Sequence, residues 1–338
     1  MPESIDPISA SPEAPRSGAL PEQPVEVKPD EPARKIAIVG EIPFSGRALA
    51  HALLKEGFAV RVLCPDEPAE VAALSAKPAG QSGSIETVRG ALDSAKAIEG
   101  ALEGAYGVCF LSPITMKGRM YRSAQHVEDV RRLATAAQNG AIRKLVYHSA
   151  LGAHPESQSL ALRQAAEAEE IIHGAKCEDF RVRTGPLMGR GDGFLSEILN
   201  TVRSPNPILR VWGYGSTTVQ PIHVDDMAQC LTRIFSNQPE ELQPGYYCLG
   251  GPEITTLLDL MDNAAARLSR AKLKIHIPLF VLKMMSSMNQ NSTFREQVNL
   301  LFDGFYTEQN DALKLLSPGR QLVTPRQAQE EILAGAKA

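Results

Sequence analysis

The sequence lacks several features that would define its class directly. It has no block of lysine and arginine and its formal net charge is −4, so its composition gives nucleic-acid binding no support. No apolar run approaches the roughly 18 residues that a membrane-spanning helix needs. The N-terminus has neither the apolar segment of a signal peptide nor the arginine-rich character of a mitochondrial transit peptide. These absences favour a cytoplasmic protein.

Cysteine is also scarce. The five cysteines are an odd number, are widely spaced and form no Cys-x-x-Cys pair: Cys64, Cys109, Cys177, Cys230 and Cys248. Such cysteines are typical of small buried apolar groups in a reducing compartment.

Residues 35–46, KIAIVGEIPFSG, are the stretch around which the chain is organised. The apolar residues Ile36, Ile38 and Val39 predict a strand of a parallel sheet, because both faces of such strands are covered. A glycine turn follows and leads into a predicted helix over 44–56. The N-terminus of this helix would direct free N–H groups and a partial positive charge at the turn, which makes the turn a candidate anion site.

This strand, turn and helix resemble the opening of short-chain dehydrogenase/reductase proteins of the extended and atypical branches. Gly40 and Gly46 match the outer glycines of the family's Gly-x-x-Gly-x-x-Gly turn, but Pro43 replaces the middle glycine. The proline adds a ring and removes an N–H. Glu41 places a carboxylate beside the expected phosphates, and like charges repel. The resemblance implies NAD(P) binding, whereas these two departures predict a weakened phosphate site.

Further motifs extend the resemblance over roughly residues 35–270. The matching stretches are Tyr147–Gly152, Phe180–Gly189, Arg190–Phe194, Gln220–Asp226 and Tyr246–Pro252. Within the superfamily the chain is most similar to the branch of the complex I 39-kDa subunit and its bacterial relatives, and to the NmrA-like regulators.

The alternation of short apolar strands with longer amphipathic segments predicts an α/β protein with a doubly wound parallel sheet, the Rossmann fold. Strands are predicted over 58–63, 85–90, 106–112 and 143–149, and helices over 95–102 and 120–139. We expect a disordered tail over 1–33 and a nucleotide-binding core over 34–190. A smaller C-terminal α+β region should cover 191–338, with its 217–250 part returning to the sheet.

Ligands of such sheets bind at the carboxyl ends of the strands. The resemblance therefore implies dinucleotide contacts from Gly40, Ile42, Pro43, Phe44, Ser45, Gly46, Cys64, Leu111, Ser112 and Ser149. In the family, the residue after the second strand selects the cofactor, an acid for NAD and an arginine for NADP. No arginine stands there, and Asp66 lies one or two positions late, so it is either a ribose ligand or a turn residue. NAD is thus preferred over NADP. Ala91 replaces the family's adenine-contacting aspartate.

The resemblance implies reductase chemistry by a tyrosine with a lysine four residues later. None of the seven tyrosines has such a lysine, and Ala161 and Ala165 take the two positions in family register. A tyrosine without a nearby cation has a pKa of roughly 10 and transfers protons poorly at neutral pH. Ser149 remains the catalytic candidate. Its neighbour His148 should face the opposite way along the strand. Weaker candidates that could reach the crevice are His154, Lys117 and Tyr121.

His223 lies close to two acids, which could suggest a metal site. A single histidine with adjacent carboxylates makes a poor ligand set. Asp225 or Asp226 is therefore interpreted as the N-cap of a helix over 227–235.

The last part of the chain is open to competing interpretations. Residues 275–288 are apolar and methionine-rich, and they are interpreted as core or lid packing, with an interfacial membrane contact as the alternative. Residues 292–316 are predicted to form a helical hairpin that buries Leu300, Leu301 and Phe302.

Three functions fit this sequence. The first is a nucleotide-fold protein that binds a dinucleotide weakly or structurally, with little turnover, as an assembly or sensing subunit. The second is an active NAD(P)-dependent oxidoreductase or epimerase that uses a non-standard acid. The third is a cofactor-free interaction or regulatory module, in which the disordered tail and residues 275–288 would contact a protein or small molecule.

Overall fold

A parallel sheet of seven strands organises the chain. The structure, a computed structural model, describes residues 34–65, 83–112, 123–140, 142–213, 215–236, 242–289, 292–316 and 319–335. These ranges lie in one compact unit, Ala33–Ala338. The predicted disordered tail, Asp66, Lys117 and Tyr121 lie outside the described residues.

The strands follow one another with helices between most of them. In chain order they are β1 (Lys35–Gly40), β2 (Ala59–Cys64), β3 (Ile85–Arg89), β4 (Gly107–Leu111), β5 (Lys144–Ala150), β6 (Glu178–Thr184), β7 (Leu187–Met188), β8 (Ile208–Trp212), β9 (Thr218–Val219), β10 (Ile222–His223), β11 (Gly245–Leu249), β12 (Thr255–Thr256) and β13 (Leu273–Ile277). A π-helical turn, Ile42–Gly46, follows β1.

The described helices cover both faces of the sheet and build the C-terminal region. They are α1 (Arg47–Lys55), α2 (Ala95–Leu102), α3 (Ser123–Asn139), α4 (Leu160–His173), α5 (Leu195–Arg203), α6 (Val224–Ser236), α7 (Leu257–Arg267), α8 (Leu279–Met288), α9 (Ser292–Leu300), α10 (Ala312–Leu315) and α11 (Pro325–Gly335).

The sheet order is β11-β6-β5-β4-β1-β2-β3, and every neighbouring pair is parallel. The order starts near the middle and runs outward in both directions, so the predicted doubly wound Rossmann fold is confirmed. The returning strand β11, which pairs with β6 at the far edge, comes from the predicted 217–250 segment. The boundary at residue 190 between the predicted regions stays a prediction.

Alternate residues of the central strands enter different halves of the core. Ile36 and Ile38 of β1 lie in a cluster with α1 and α6 residues, while Ala37 and Val39 lie in a cluster with residues of α2 and α3. All four are fully buried. Because both faces are covered, β1 is an unbroken apolar run, which is why the sequence revealed it.

Two predictions for the C-terminal region are wrong in part. Residues 275–288, interpreted as core or lid packing, are divided between the end of β13 and α8 and are buried only in part. Leu282 is buried, but Phe280 is 74% exposed. Leu300 and Leu301 are buried as predicted, whereas Phe302 is 41% exposed. The predicted hairpin is interrupted, since only α9 and the single turn α10 are helical in that stretch.

None of the helices in the described ranges is long and apolar enough to cross a bilayer.

Two phenylalanines offer a matched test of this core. Phe180 on β6 is fully buried and Phe280 on α8 is 74% exposed. We expect Phe180→Ala to lower the free energy of unfolding by about 3–5 kcal/mol, because it leaves a cavity in the sheet core. Phe280→Ala should change it by less than about 0.5 kcal/mol. Urea denaturation followed by circular dichroism measures both, and equal effects would contradict the assigned burial.

Candidate functional site

The carboxyl ends of neighbouring parallel strands meet at one edge of the sheet. Gly40 pairs with Leu111 across β1 and β4, and Leu111 pairs with His148 of β5. Cys64 ends β2, and Ser112 directly follows β4. The structure therefore brings together five predicted positions, namely Gly40, Cys64, Leu111, Ser112 and Ser149. Their contact with a dinucleotide stays a prediction.

A glycine is required at position 40 because the backbones of β1 and β4 come very close together there. Its φ is +100°, and a Cβ at this position would lie 2.1 Å from the carbonyl oxygen of Leu111. The N–H of Glu41 donates to that same oxygen at 2.8 Å. A side chain at Gly40 would break this contact, so the glycine is explained by strand geometry before any ligand is considered.

The turn after Gly40 directs its N–H groups at Glu41. The Glu41 carboxylate accepts the N–H of Phe44 at 3.1 Å, the N–H of Ser45 at 2.6 Å and the Ser45 hydroxyl. The Glu41 carbonyl accepts the N–H of Gly46 at 3.0 Å, and Pro43 has no N–H. The turn thus already holds an anion where a helix N-terminus attracts one.

The remaining predicted residues of this turn differ in exposure. Ile42 is 3% exposed and packs in the core beside α1 and α6. Ser45 is 1% exposed, whereas Pro43 is exposed and Phe44 is half-buried. Ile42 and Ser45 are thus closed to solvent, whereas Pro43 and Phe44 are open to it, as is the half-buried Glu41.

Ser149 carries a buried hydroxyl without a partner. The side chain is 2% exposed, and its Oγ makes no hydrogen bond with any described residue. Such a group costs about 1–3 kcal/mol unless something satisfies it. The Nε2 of His148 bonds the Thr184 hydroxyl at 2.8 Å. His148 is thus engaged away from Ser149, in line with the expectation that they form no nucleophile–base pair.

The two positions at which the resemblance predicts the catalytic dyad, Ala161 and Ala165, lie on α4. Ala165 is fully buried and packs against Ala153 and Ala166. Ala161 is half-buried in the first turn of the helix. Neither side chain can donate or accept a proton.

Tyr147 on β5 lies close to the carboxyl edge of the sheet, but its side chain is fully buried in the core. Its hydroxyl lies 2.8 Å from the Nε2 of His126 and also bonds Ser112. Burial raises the pKa of Tyr147 above its ordinary value, and burial lowers the pKa of His126 to about 3. The pair therefore stays neutral at physiological pH, which fits a structural role better than proton transfer.

A second carboxylate caps α4 from far along the chain. Glu296 of α9 is 6% exposed. It accepts the N–H groups of Leu160 at 3.1 Å and Ala161 at 3.0 Å, together with the Ser159 hydroxyl. No local motif signals this cap, because Glu296 lies 137 residues from Ser159.

Residues 303–307 form a strap that lies close to the loop after β5, at the carboxyl edge of the sheet. Asp303 accepts the Ser157 hydroxyl at 2.9 Å, and the Phe305 carbonyl accepts the N–H of Gln220 at 2.8 Å. A Cβ on Gly152, just after β5, would lie 3.1 Å from the Gly304 carbonyl. Tyr306, which is 46% exposed, lies beside Gly304 in this strap. No sequence motif marks this tyrosine as a candidate.

The prediction of a helix N-cap at Asp225 or Asp226 is wrong. Helix α6 begins at Val224, so both acids lie within its first turn. Asp226 is fully buried and accepts Arg320 at 3.0 Å and the N–H of Val323 at 2.9 Å. The Asp226 carboxylate thus binds groups that are distant in the sequence and does not cap the helix. In the described residues, no group of three or more His, Cys, Asp and Glu side chains could hold a metal ion.

Comparisons with known sequences agree with the predicted resemblance. The sequence model of the NmrA-like family matches residues 32–174. The chain is 25% identical over 257 residues to NADH dehydrogenase (ubiquinone) 1 alpha subcomplex subunit 9, mitochondrial, of Arabidopsis thaliana, which covers 74% of this chain and 62% of that protein. It is 28% identical over 196 residues to a ceramide reductase of Caulobacter vibrioides, which covers 57% of this chain and 58% of that protein. The chain thus spans about three fifths of the length of these curated relatives.

A solved structure shares the fold almost throughout. An NADPH-dependent quinone oxidoreductase from Escherichia coli, solved in complex with NADPH, superposes with a TM-score of 0.69 at 17% identity. The match covers 88% of this chain and 99% of that one. Together these comparisons confirm the resemblance to NmrA-like proteins, to the complex I subunit and to the dehydrogenase/reductase fold.

The buried histidines predict how stability depends on pH. Burial lowers the pKa of His126 to about 3 and that of His148 to about 4, while an unfolded histidine titrates at roughly 6.5. Between these values the unfolded chain binds two protons that the folded chain does not. The free energy of unfolding should therefore fall with falling pH below about 6, by about 1.4 kcal/mol per pH unit for each histidine.

The His126→Gln variant should lose one histidine's share of that slope, whereas His51→Gln, on the exposed surface of α1, should keep it. Urea titrations at several pH values measure the slope. An unchanged slope in His126→Gln would show that His126 is not held neutral.

Proposed function

We propose that this chain binds NAD(P) weakly at the carboxyl edge of its sheet and catalyses little turnover, acting as an assembly or sensing subunit. The contacts would come from the turn at Gly40–Gly46 and from Cys64, Leu111, Ser112 and Ser149. Two observations support a ligand there. The E. coli oxidoreductase that shares the fold was solved with NADPH, and the unpartnered Ser149 hydroxyl is a polar group that a ligand could satisfy.

The observation that carries the proposal of weak binding is the position of Glu41. Its carboxylate already accepts the N–H groups of Phe44 and Ser45. A pyrophosphate that used the same N–H groups would have to displace Glu41, or lie against its negative charge in a partly desolvated site. Binding therefore costs the free energy of the existing cap before any contact with phosphate is gained.

Low turnover is supported by the lack of a proton donor at the family's position. Ala161 and Ala165 offer only methyl groups, and buried Tyr147 has a raised pKa. A bound dinucleotide could thus be held without an acid to complete hydride transfer.

The cofactor we favour is NAD rather than NADP. No arginine directly follows β2, and the 2′-phosphate of NADP normally meets one there. We also propose a cytoplasmic location, which is supported by five cysteines that form no disulfide with one another.

An active oxidoreductase is the second candidate, and Tyr306 favours it. This tyrosine is 46% exposed, and the strap at 303–307 carries it close to the carboxyl edge. It could replace the missing acid. The names of the relatives, a ceramide reductase and a quinone oxidoreductase, would then favour an apolar carbonyl compound or quinone as substrate.

Removing the charge of Glu41 tests the main proposal. We expect Glu41→Gln to bind NADH about tenfold more tightly than the parent chain, because the glutamine keeps a hydrogen-bond acceptor but no longer repels phosphate. Isothermal titration calorimetry measures the affinity. Glu56→Gln, at the opposite end of α1, is the matched control and should leave the affinity unchanged.

Thermal melting with millimolar NADH and NADPH separates the alternatives, since a ligand that binds only the folded state raises the melting temperature. No shift for the parent or for Glu41→Gln would favour a cofactor-free module. Tight binding by the parent, equal to that of Glu41→Gln, would contradict weakening by Glu41.

Tyrosine variants test the second candidate. If the chain oxidises NADH with a quinone acceptor, Tyr306→Phe should lower kcat by about a hundredfold, the usual contribution of a general acid. Tyr246→Phe is the control, because Tyr246 is similarly exposed at 45% but lies on β11 at the far edge of the sheet. Spectrophotometry of NADH oxidation gives the rates. Equal activity in both variants would remove Tyr306 from the reaction.

A further inference from the structure

Helix α8 presents an apolar stripe to solvent. Its buried side faces the neighbouring helix through Leu282 and Ser286. Phe280, Met284 and Met288 follow one another at four-residue intervals on the opposite side, and they are 74%, 56% and 80% exposed. Residues four apart share a helix face. The stripe therefore runs along nearly the whole length of the helix, from Phe280 to Met288.

The strand that leads into α8 continues this exposed apolar character. β13 pairs with β8 in a two-stranded parallel ribbon. Leu273 is 66% exposed and Ile275 is 45% exposed, and both lie on the same face because strand residues alternate. Lys274 points the other way and pairs with Asp262 of α7 at 2.5 Å. We call Leu273, Ile275, Phe280, Met284 and Met288 the basic apolar surface, because they belong to a segment that is rich in lysine and arginine.

Those cations come from an acid-free segment. Residues 263–295 contain no aspartate or glutamate, although the whole chain has a net charge of −4. The same segment holds six basic residues, Arg267, Arg270, Lys272, Lys274, Lys283 and Arg295.

Most of this positive charge is not neutralised within the described residues. Arg267 and Lys274 pair with carboxylates. Lys272 and Arg295 donate only to backbone carbonyls, and Lys283 donates to side-chain amide oxygens. Neutral acceptors satisfy hydrogen bonds but leave the charge in place, so the segment keeps a local excess of positive charge.

We infer that the basic apolar surface docks on a lipid bilayer that carries anionic headgroups. Exposed Phe and Met side chains would enter the boundary between headgroups and acyl chains, while the lysine and arginine side chains meet lipid phosphates. The inference does not depend on dinucleotide binding, because this surface carries its own apolar and charged groups.

The N-terminal segment is the competing occupant, since residues 1–32 are rich in acids. That segment contains no aromatic residue and few large apolar side chains. It matches the charge of the surface but not its apolar side chains, whereas an anionic bilayer matches both.

Vesicle flotation with the full chain tests the inference. We expect binding to vesicles of phosphatidylcholine mixed with phosphatidylglycerol at low salt. Binding should fall about tenfold with phosphatidylcholine alone or at high salt, because both remove the electrostatic attraction.

The variant Phe280→Ser/Met284→Ser should lower vesicle binding about tenfold, because it removes the side chains that enter the bilayer. The matched control is Leu313→Ser on α10, which is 61% exposed and lies outside the surface. Circular dichroism checks that both variants fold.

A parent chain that ignores both kinds of vesicle would overturn the inference, as would equal binding by the two variants. If no vesicle binding occurs while Phe280→Ser/Met284→Ser changes the sedimentation coefficient, the surface covers a second copy of the chain instead.

Discussion

Two helices that begin at the carboxyl edge of the sheet are capped by carboxylates of the chain itself. Glu41 satisfies the turn before α1, and Glu296 satisfies the first turn of α4. Helix N-termini in this fold are the usual places for anionic ligands. In this protein Glu41 and Glu296 already accept backbone N–H groups at both places, so these groups do not need an anionic ligand.

At the first turn, the N–H groups that stabilise the folded chain are the same groups that a phosphate would use. The same N–H groups of Phe44 and Ser45 can stabilise the empty protein through Glu41 or hold a phosphate, but they cannot do both at full strength. Ala165 adds to this picture, because it packs against Ala153 and Ala166 and offers only a methyl group. The backbone at this edge follows the Rossmann fold, while the Glu41 carboxylate occupies the N–H groups of its first turn.

The sequence alone predicts the strands and helices that are marked by a local pattern of apolar residues or by a capping residue. β4 and β5 are covered on both faces, so their apolar runs predicted them to within about two residues of their observed ends. Helix α2 has the predicted bounds because its apolar positions recur at helical spacing and Ser94 caps it.

Features that depend on distant partners were not predictable in this way. The ribbon of β8 and β13 joins segments separated by more than sixty residues, and neither strand is an unbroken apolar run. The local sequence predicts Asp226 as a helix cap, whereas in the structure Asp226 accepts hydrogen bonds from Arg320 and the N–H of Val323. Glu296 and Tyr306 reach the carboxyl edge only through the folding of the C-terminal region, so no motif could mark them.

The cap on α4 has a consequence for synthesis of the protein. Glu296 follows Ser159 by 137 residues, and a ribosome that adds about 5–20 residues per second makes Glu296 roughly 7–27 s later. By the end of that interval β1 to β6 have been synthesised, while the amide groups of Leu160 and Ala161 still lack their Glu296 acceptor. The nascent chain therefore passes through a stage in which most of its sheet is present but the carboxyl edge is not yet complete.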